Sequence, residues 1–130
     1  MIDFTPGDVV TFRARLNRDG TTSCFLATCL HVEGGAIKIR LGPDYLEWVA
    51  SANPEGLSPK ERCADRVVTP ERCSLYRRQT AVEAAQAREL RRAWLAGTKR
   101  VLDIFMHHAA APRPDWLERE ADELFPGGAR

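Results

Sequence analysis

Four cysteines, at 24, 29, 63 and 73, and three histidines, at 31, 107 and 108, are the side chains that could ligate a metal or attack an electrophile. Cys24-x4-Cys29-x-His31 has the content of a metal site. On a regular strand, however, positions 24 and 29 have opposite parity and point to opposite faces. Cys63 and Cys73 lack the short knuckle spacing of structural zinc. His107 and His108 are adjacent, so they diverge on a helix. No metal and no cofactor is expected. A Cys–His pair such as Cys29 with His107 would be spatial rather than sequential, and no spacing favours it. The chain carries no glycine-rich phosphate loop, no nucleophile elbow and no metalloprotease helix. The expectation is a protein that is not an enzyme.

Binding surfaces are better represented. Arg88, Arg92 and Lys99 share a sector of one helical stretch, with Arg91 beside them and Arg100 following. Such a face would contact phosphates, which position a protein on nucleic acid without reading its sequence. Glu89 and Asp103 dilute it. Arg13 and Arg15, on the outer face of a strand, would extend the patch if that face lies nearby. The alternative is a solvated face with local ion pairs. The same stretch carries two apolar lines. Ala87, Leu90, Trp94, Gly97, Val101, Phe105 and His108 form one stripe. Leu95, Leu102 and Met106 form the other, a candidate protein interface. A helix apolar on two sides needs two partners. One would be the body of the fold. The other would be either the segment Trp116-Leu117-Ala121-Leu124 folding back or a second copy of the chain. Glu118, Glu120, Asp122 and Glu123 could then pair with the arginines.

These residues need elements to hold them. Pro6-Gly7-Asp8 predicts a turn. Val10, Phe12, Ala14 and Leu16 then alternate with Val9, Thr11, Arg13 and Arg15, the period of a half-buried strand. Asn17-Arg18-Asp19-Gly20 closes a hairpin. Thr21 to Val32 reads as a long strand, apolar on both faces and therefore bent. Glu33-Gly34-Gly35 turns the chain into a third strand, Ile37 to Leu41. Gly42-Pro43-Asp44 predicts a turn and Tyr45 to Ala50 a fourth strand. Ser58-Pro59-Lys60-Glu61 opens a helix of one or two turns, by serine cap, proline and returning glutamate. Val67-Val68 is a short fifth strand, and Thr69-Pro70-Glu71-Arg72 a 3-10 turn.

Helix dominates from there. Thr80 and Glu83 make a capping box, and an unbroken pattern runs from Ala81 to about Ala110. Pro112 and Pro114 stop it. Asp115 with Glu118 opens a short helix through Phe125. Residues 127–130, beginning Gly127-Gly128, are expected to fray.

Phe4-Thr5-Pro6-Gly7-Asp8-Val9-Val10, the two hairpin turns and Val67-Val68-Thr69-Pro70 together resemble an SH3-like barrel of the Tudor, agenet or KOW type, over roughly residues 4 to 77. The further glycines of a KOW module are missing. The expected fold is therefore α+β. A small five-stranded antiparallel SH3-like barrel spans 1–78, and a helical extension packed on it spans 79–126. Tudor-like barrels resemble one another in using rim aromatics to hold a methylated cation. By that resemblance Phe25, Tyr45 and Trp48 are the candidates here. Tyr45 and Trp48 would have opposite parity on a fourth strand, which opposes a shared face and favours core packing.

The whole chain is 130 residues with 19 basic and 18 acidic groups and a net charge of +1. At this length one core is the default. The balance excludes a generally basic nucleic-acid binder, but it is uneven: residues 61–110 sum to +4 and 111–130 to −2. Apolar runs are too short to span a bilayer. Met1-Ile2-Asp3-Phe4 does not read as a secretory signal, so a cytoplasmic location with reduced thiols is expected. The abundance of Ala, and of Arg over Lys, fits a bacterial, phage or plasmid source. The expected function is a non-catalytic binding or adaptor module. Its partner would be another protein or a second copy, with nucleic acid as the alternative and neither a membrane nor a small-molecule substrate as partner.

Overall fold

A computed structural model describes residues 3–16, 20–52, 57–106 and 115–129. It divides into two compact units, Met1–Gln79 and Thr80–Arg130.

The first unit is a five-stranded antiparallel sheet in the order β4-β3-β2-β1-β5. The strands are β1 (Val9–Leu16), β2 (Thr22–Glu33), β3 (Ala36–Leu41), β4 (Asp65–Val68) and β5 (Cys73–Arg77). A hairpin joins β2 to β3, and β1 pairs antiparallel with β2. The long β2 serves two neighbours, pairing with β1 over Thr22–Thr28 and with β3 over Ala27–Glu33. Strand alternation places Val10 and Phe12 of β1 and Ile37, Ile39 and Leu41 of β3 in one core. Two irregularities break that alternation. The β1–β2 register shifts between Arg13 and Arg15, and the β2–β3 register shifts between Cys29 and His31. At the second, the extra residue lets the successive side chains of Cys29 and Leu30 both be buried.

Tyr45 to Ala50 is not a strand. Pro43–Ala52 is a helix, α1, and the fourth strand of the sheet is Asp65–Val68. Proline suits the first turn, and Asp44 there complements the helix dipole. Tyr45 and Val49 are buried and Trp48 is partly buried, while Leu46, Glu47 and Ala50 face out. That is helical spacing, so parity arguments do not apply to these residues. A 3-10 turn at Lys60–Arg62 precedes β4, and another at Pro70–Arg72 precedes β5.

The N-terminal segment is fastened by one buried carboxylate. Asp8 is 3% exposed. Its Oδ2 accepts from the Thr5 amide at 2.9 Å and from Arg78 at 2.7 Å, and its Oδ1 accepts from the Gln79 amide at 3.2 Å. Three donors offset the cost of burying the charge.

The second unit holds α2 (Ala81–Met106) and α3 (Asp115–Leu124). Thr80 and Glu83 exchange hydrogen bonds at 2.9 and 3.1 Å and start α2 as a capping box. Leu95 packs with Leu117 and Ala121, and partly buried Trp94 lies against them. Gly127 and Gly128, in the tail expected to fray, are both buried. A Cβ at Gly128 would lie 2.7 Å from the Ala87 carbonyl oxygen, so only glycine fits this approach of the chain to α2. No helix among the described residues is long and apolar enough to cross a membrane.

Candidate functional site

The surface of α2 is divided by α3. Arg91 donates from Nε to Asp122 at 2.8 Å and from Nη2 to Glu118. Its side chain is only 19% exposed. It therefore belongs to the pairing of the two helices and not to a free cationic face. Leu95, one turn on, is 3% exposed and covered by Leu117 and Ala121 of the same chain. That corrects its place in an intermolecular line. The side chains of Leu102, Met106 and Phe105, and the whole of His107 and His108, lie outside the described residues.

The rest of the basic set is mixed. Arg92 is exposed and bonds Glu89 at 3.3 Å, one turn away. Arg88 and Arg100 are exposed, and Lys99 is half-buried. Arg13 and Arg15 belong to the other unit, on either side of the β1 irregularity. Arg13 is exposed and donates to the Ser74 hydroxyl at 3.2 Å.

Of the Trp94 stripe, Ala87 is buried and Trp94 packs against the α3 cluster, while its other aliphatic positions stay open. Leu90 is 56% exposed, Val101 50% and Ile104 65%. Trp94 is half-buried, and Gly97 has open space beyond it. Ile104, not Phe105, completes the spacing. Positions 87, 90, 94, 97, 101 and 104 alternate steps of three and four, which keeps them on one line along a helix that meets another helix.

The aromatic trio does come together, because Tyr45 and Trp48 stand on a helix and not on a strand. Tyr45 and Trp48 are one turn apart on α1 and therefore share a face. Ring centroids are 5.3 Å apart for Phe25–Tyr45, 5.2 Å for Phe25–Trp48 and 5.7 Å for Tyr45–Trp48. Rings this close touch one another and leave no room for a cation between them. Tyr45 is fully buried, and the trio packs against the sheet core.

The thiols divide into two classes. Cys24 and Cys63 are exposed; Cys29 and Cys73 are buried. Burial, followed by the nearby Asp8 charge and Cys73, pushes the Cys29 thiol up to about 12. Burial also raises Cys73, against the opposing pull of Arg13 and Arg72. Both are protonated near neutrality and are poor nucleophiles. The described residues gather no group of three or more His, Cys, Asp or Glu able to hold a metal ion.

One cluster was not foreseen. The guanidinium carbons of Arg66 and Arg72 stand 5.0 and 4.7 Å from the ring centroid of the buried Phe12. Arg72 caps the β1 irregularity, donating to the carbonyls of Arg13 at 3.1 Å and Ala14 at 2.8 Å. Arg66 donates to the Tyr45 hydroxyl at 3.3 Å, and that hydroxyl donates to the Glu61 carbonyl. Both arginines line an open cavity of about 650 Å³, together with Lys60, Glu61 and Asp65. Asp65 is held by Arg40 through two bonds, at 2.8 and 3.0 Å, which keep its carboxyl below the usual range. Glu61 is lowered chiefly by the Ser58 amide, with the charges of Arg66 and Arg72 assisting. The only advance signal was the density of basic residues around the two 3-10 turns. Compared with protein-family models, curated proteins and solved structures, the chain matches none.

Proposed function

We propose that the chain is a non-catalytic binding module acting through protein–protein contact. The exposed stripe of α2 is its contact surface, and a second copy of α2 is the occupant. The observation that carries this reading is the exposure of Leu90, Val101 and Ile104 on one line of a helix whose opposite apolar side is already covered by α3. Spacing in steps of three and four lets such a line meet its own copy along its length. Burying three half-exposed aliphatic side chains from each copy supplies about 5–10 kcal/mol before the cost of association, which makes the dimer a weak one.

The first unit, in this reading, is an SH3-like barrel. The strand order and the 3-10 turn just before β5 support that assignment. A cytoplasmic location belongs to the same proposal and is supported by four unpaired cysteines, two of them exposed. Nucleic-acid binding through Arg88, Arg92, Lys99 and Arg100 is the second reading. The exposure of Arg88 and Arg100 favours it. The engagement of Arg91 by Glu118 and Asp122 reduces the charge left for it.

Amide spectra recorded over a dilution series test the choice. Concentration-dependent shifts along residues 87–104 support self-pairing. Spectra that do not change with concentration, but shift on adding a DNA duplex in a strongly salt-dependent way, favour the second reading.

A further inference from the structure

The cavity beside Phe12 has a charge arrangement that the interaction stripe does not use. Its walls come from the 3-10 turn Lys60–Arg62, from β4 and from the turn before β5. Arg66 and Arg72 bear on one aromatic ring, so their charges are no farther apart than the sum of their two ring distances. The ring attracts both cations without neutralising either. Among the described residues, each guanidinium donates to uncharged oxygens: a phenol for Arg66, two backbone carbonyls for Arg72. Those bonds fix the orientation of the guanidinium planes and leave other N–H groups of each fork over.

The acids of the cavity do not balance this charge. Asp65 is committed to Arg40 by a bidentate pair. Glu61 accepts from the Ser58 amide at 3.1 Å and offers a single negative charge to three cations, Lys60, Arg66 and Arg72. A monoanion would do no more than Glu61 already does. A dianion with three acceptor oxygens suits two forks and an ammonium better. The space, about 650 Å³ and open to solvent, is large enough to admit a small molecule.

We propose that this cavity binds a small-molecule phosphate monoester, its phosphate held between Arg66 and Arg72 with Lys60 at the rim. The proposal is independent of how α2 pairs.

The test is a titration of the full chain with glycerol phosphate, followed by amide shifts at constant ionic strength. Sodium chloride and a short single-stranded oligonucleotide serve as parallel titrants. Saturable shifts at Lys60, Glu61, Arg66 and Arg72 are expected, with none of that pattern from chloride. Lys60→Gln, at the surface and outside the core, is expected to weaken binding about tenfold while leaving the rest of the spectrum in place. Arg66→Lys keeps the charge, loses the fork and is expected to weaken binding as well. Three results overturn the proposal. One is shifts that grow linearly and match those from chloride. Another is binding unchanged in Lys60→Gln and Arg66→Lys. The third is an oligonucleotide that moves the same amides at concentrations where glycerol phosphate does nothing.

Discussion

Arg91 on α2 donates to Asp122 on α3 at 2.8 Å, on the side of α2 where α3 covers Leu95. The pair takes one arginine out of the basic sector, and the line of Leu90, Val101 and Ile104 lies uncovered elsewhere on the helix. The pair is partly exposed, so its strength is modest. A double-mutant cycle on Arg91→Ala and Asp122→Ala, read by urea unfolding, should give a coupling of about 0.5–1 kcal/mol. A coupling of zero would mean that the apolar contacts alone hold α3.

Gly128 should be intolerant of even one methyl group. Gly128→Ala drives a Cβ into the Ala87 carbonyl and should cost about 1–3 kcal/mol of stability. Ala129→Gly, one residue on and exposed, should change little. Thermal unfolding of the two variants separates a packed chain end from a frayed one.

How much of this was legible in the sequence depended on whether local pattern and final contact agreed. Val10 with Phe12, and Ile37 with Ile39, alternate in sequence and lie side by side in the core, so the strands were readable. Tyr45 to Ala50 was not. A run of six residues rich in Tyr, Leu, Trp and Val suits a strand by composition, and only the Gly42-Pro43-Asp44 start and the spacing of Tyr45, Trp48 and Val49 argue for a helix. The acidic partners foreseen for the arginines proved to be Glu118 and Asp122, because i and i+4 carboxylates on α3 face one side. The cavity of Arg66 and Arg72 could not be read at all. It arises where two 3-10 turns and β4 approach Phe12, and no periodicity encodes that approach.

Asp8 should matter more than its exposed partner. Asp8→Ala leaves the Thr5 and Gln79 amides without their acceptor and Arg78 without its anion. A loss of about 3 kcal/mol is expected by denaturant unfolding. Arg78 is half exposed and can turn to water, so Arg78→Ala should cost clearly less. Equal losses would contradict the account.

Cys29 should make stability fall at alkaline pH. Its folded-state thiol is raised from 9.0 to about 12. Between these values the unfolded chain releases the proton and the folded chain keeps it. Stability from this group is therefore complete below pH 9 and declines by about 1.4 kcal/mol per pH unit above it. Cys29→Ala should reduce the alkaline slope, leaving the part that the raised Cys73 contributes. The same burial predicts that a thiol reagent at pH 8 modifies Cys24 and Cys63 quickly and Cys29 and Cys73 only on unfolding.

Sedimentation equilibrium of the full chain, at low and at high salt, addresses self-pairing through α2 most directly. The account predicts a monomer–dimer equilibrium that persists in high salt, because apolar burial drives it. Ile104→Glu, at a position already 65% exposed in the single chain, should abolish the dimer without unfolding the protein. A chain that stays monomeric at high concentration, or a dimer that survives Ile104→Glu and dissolves in salt, would contradict it.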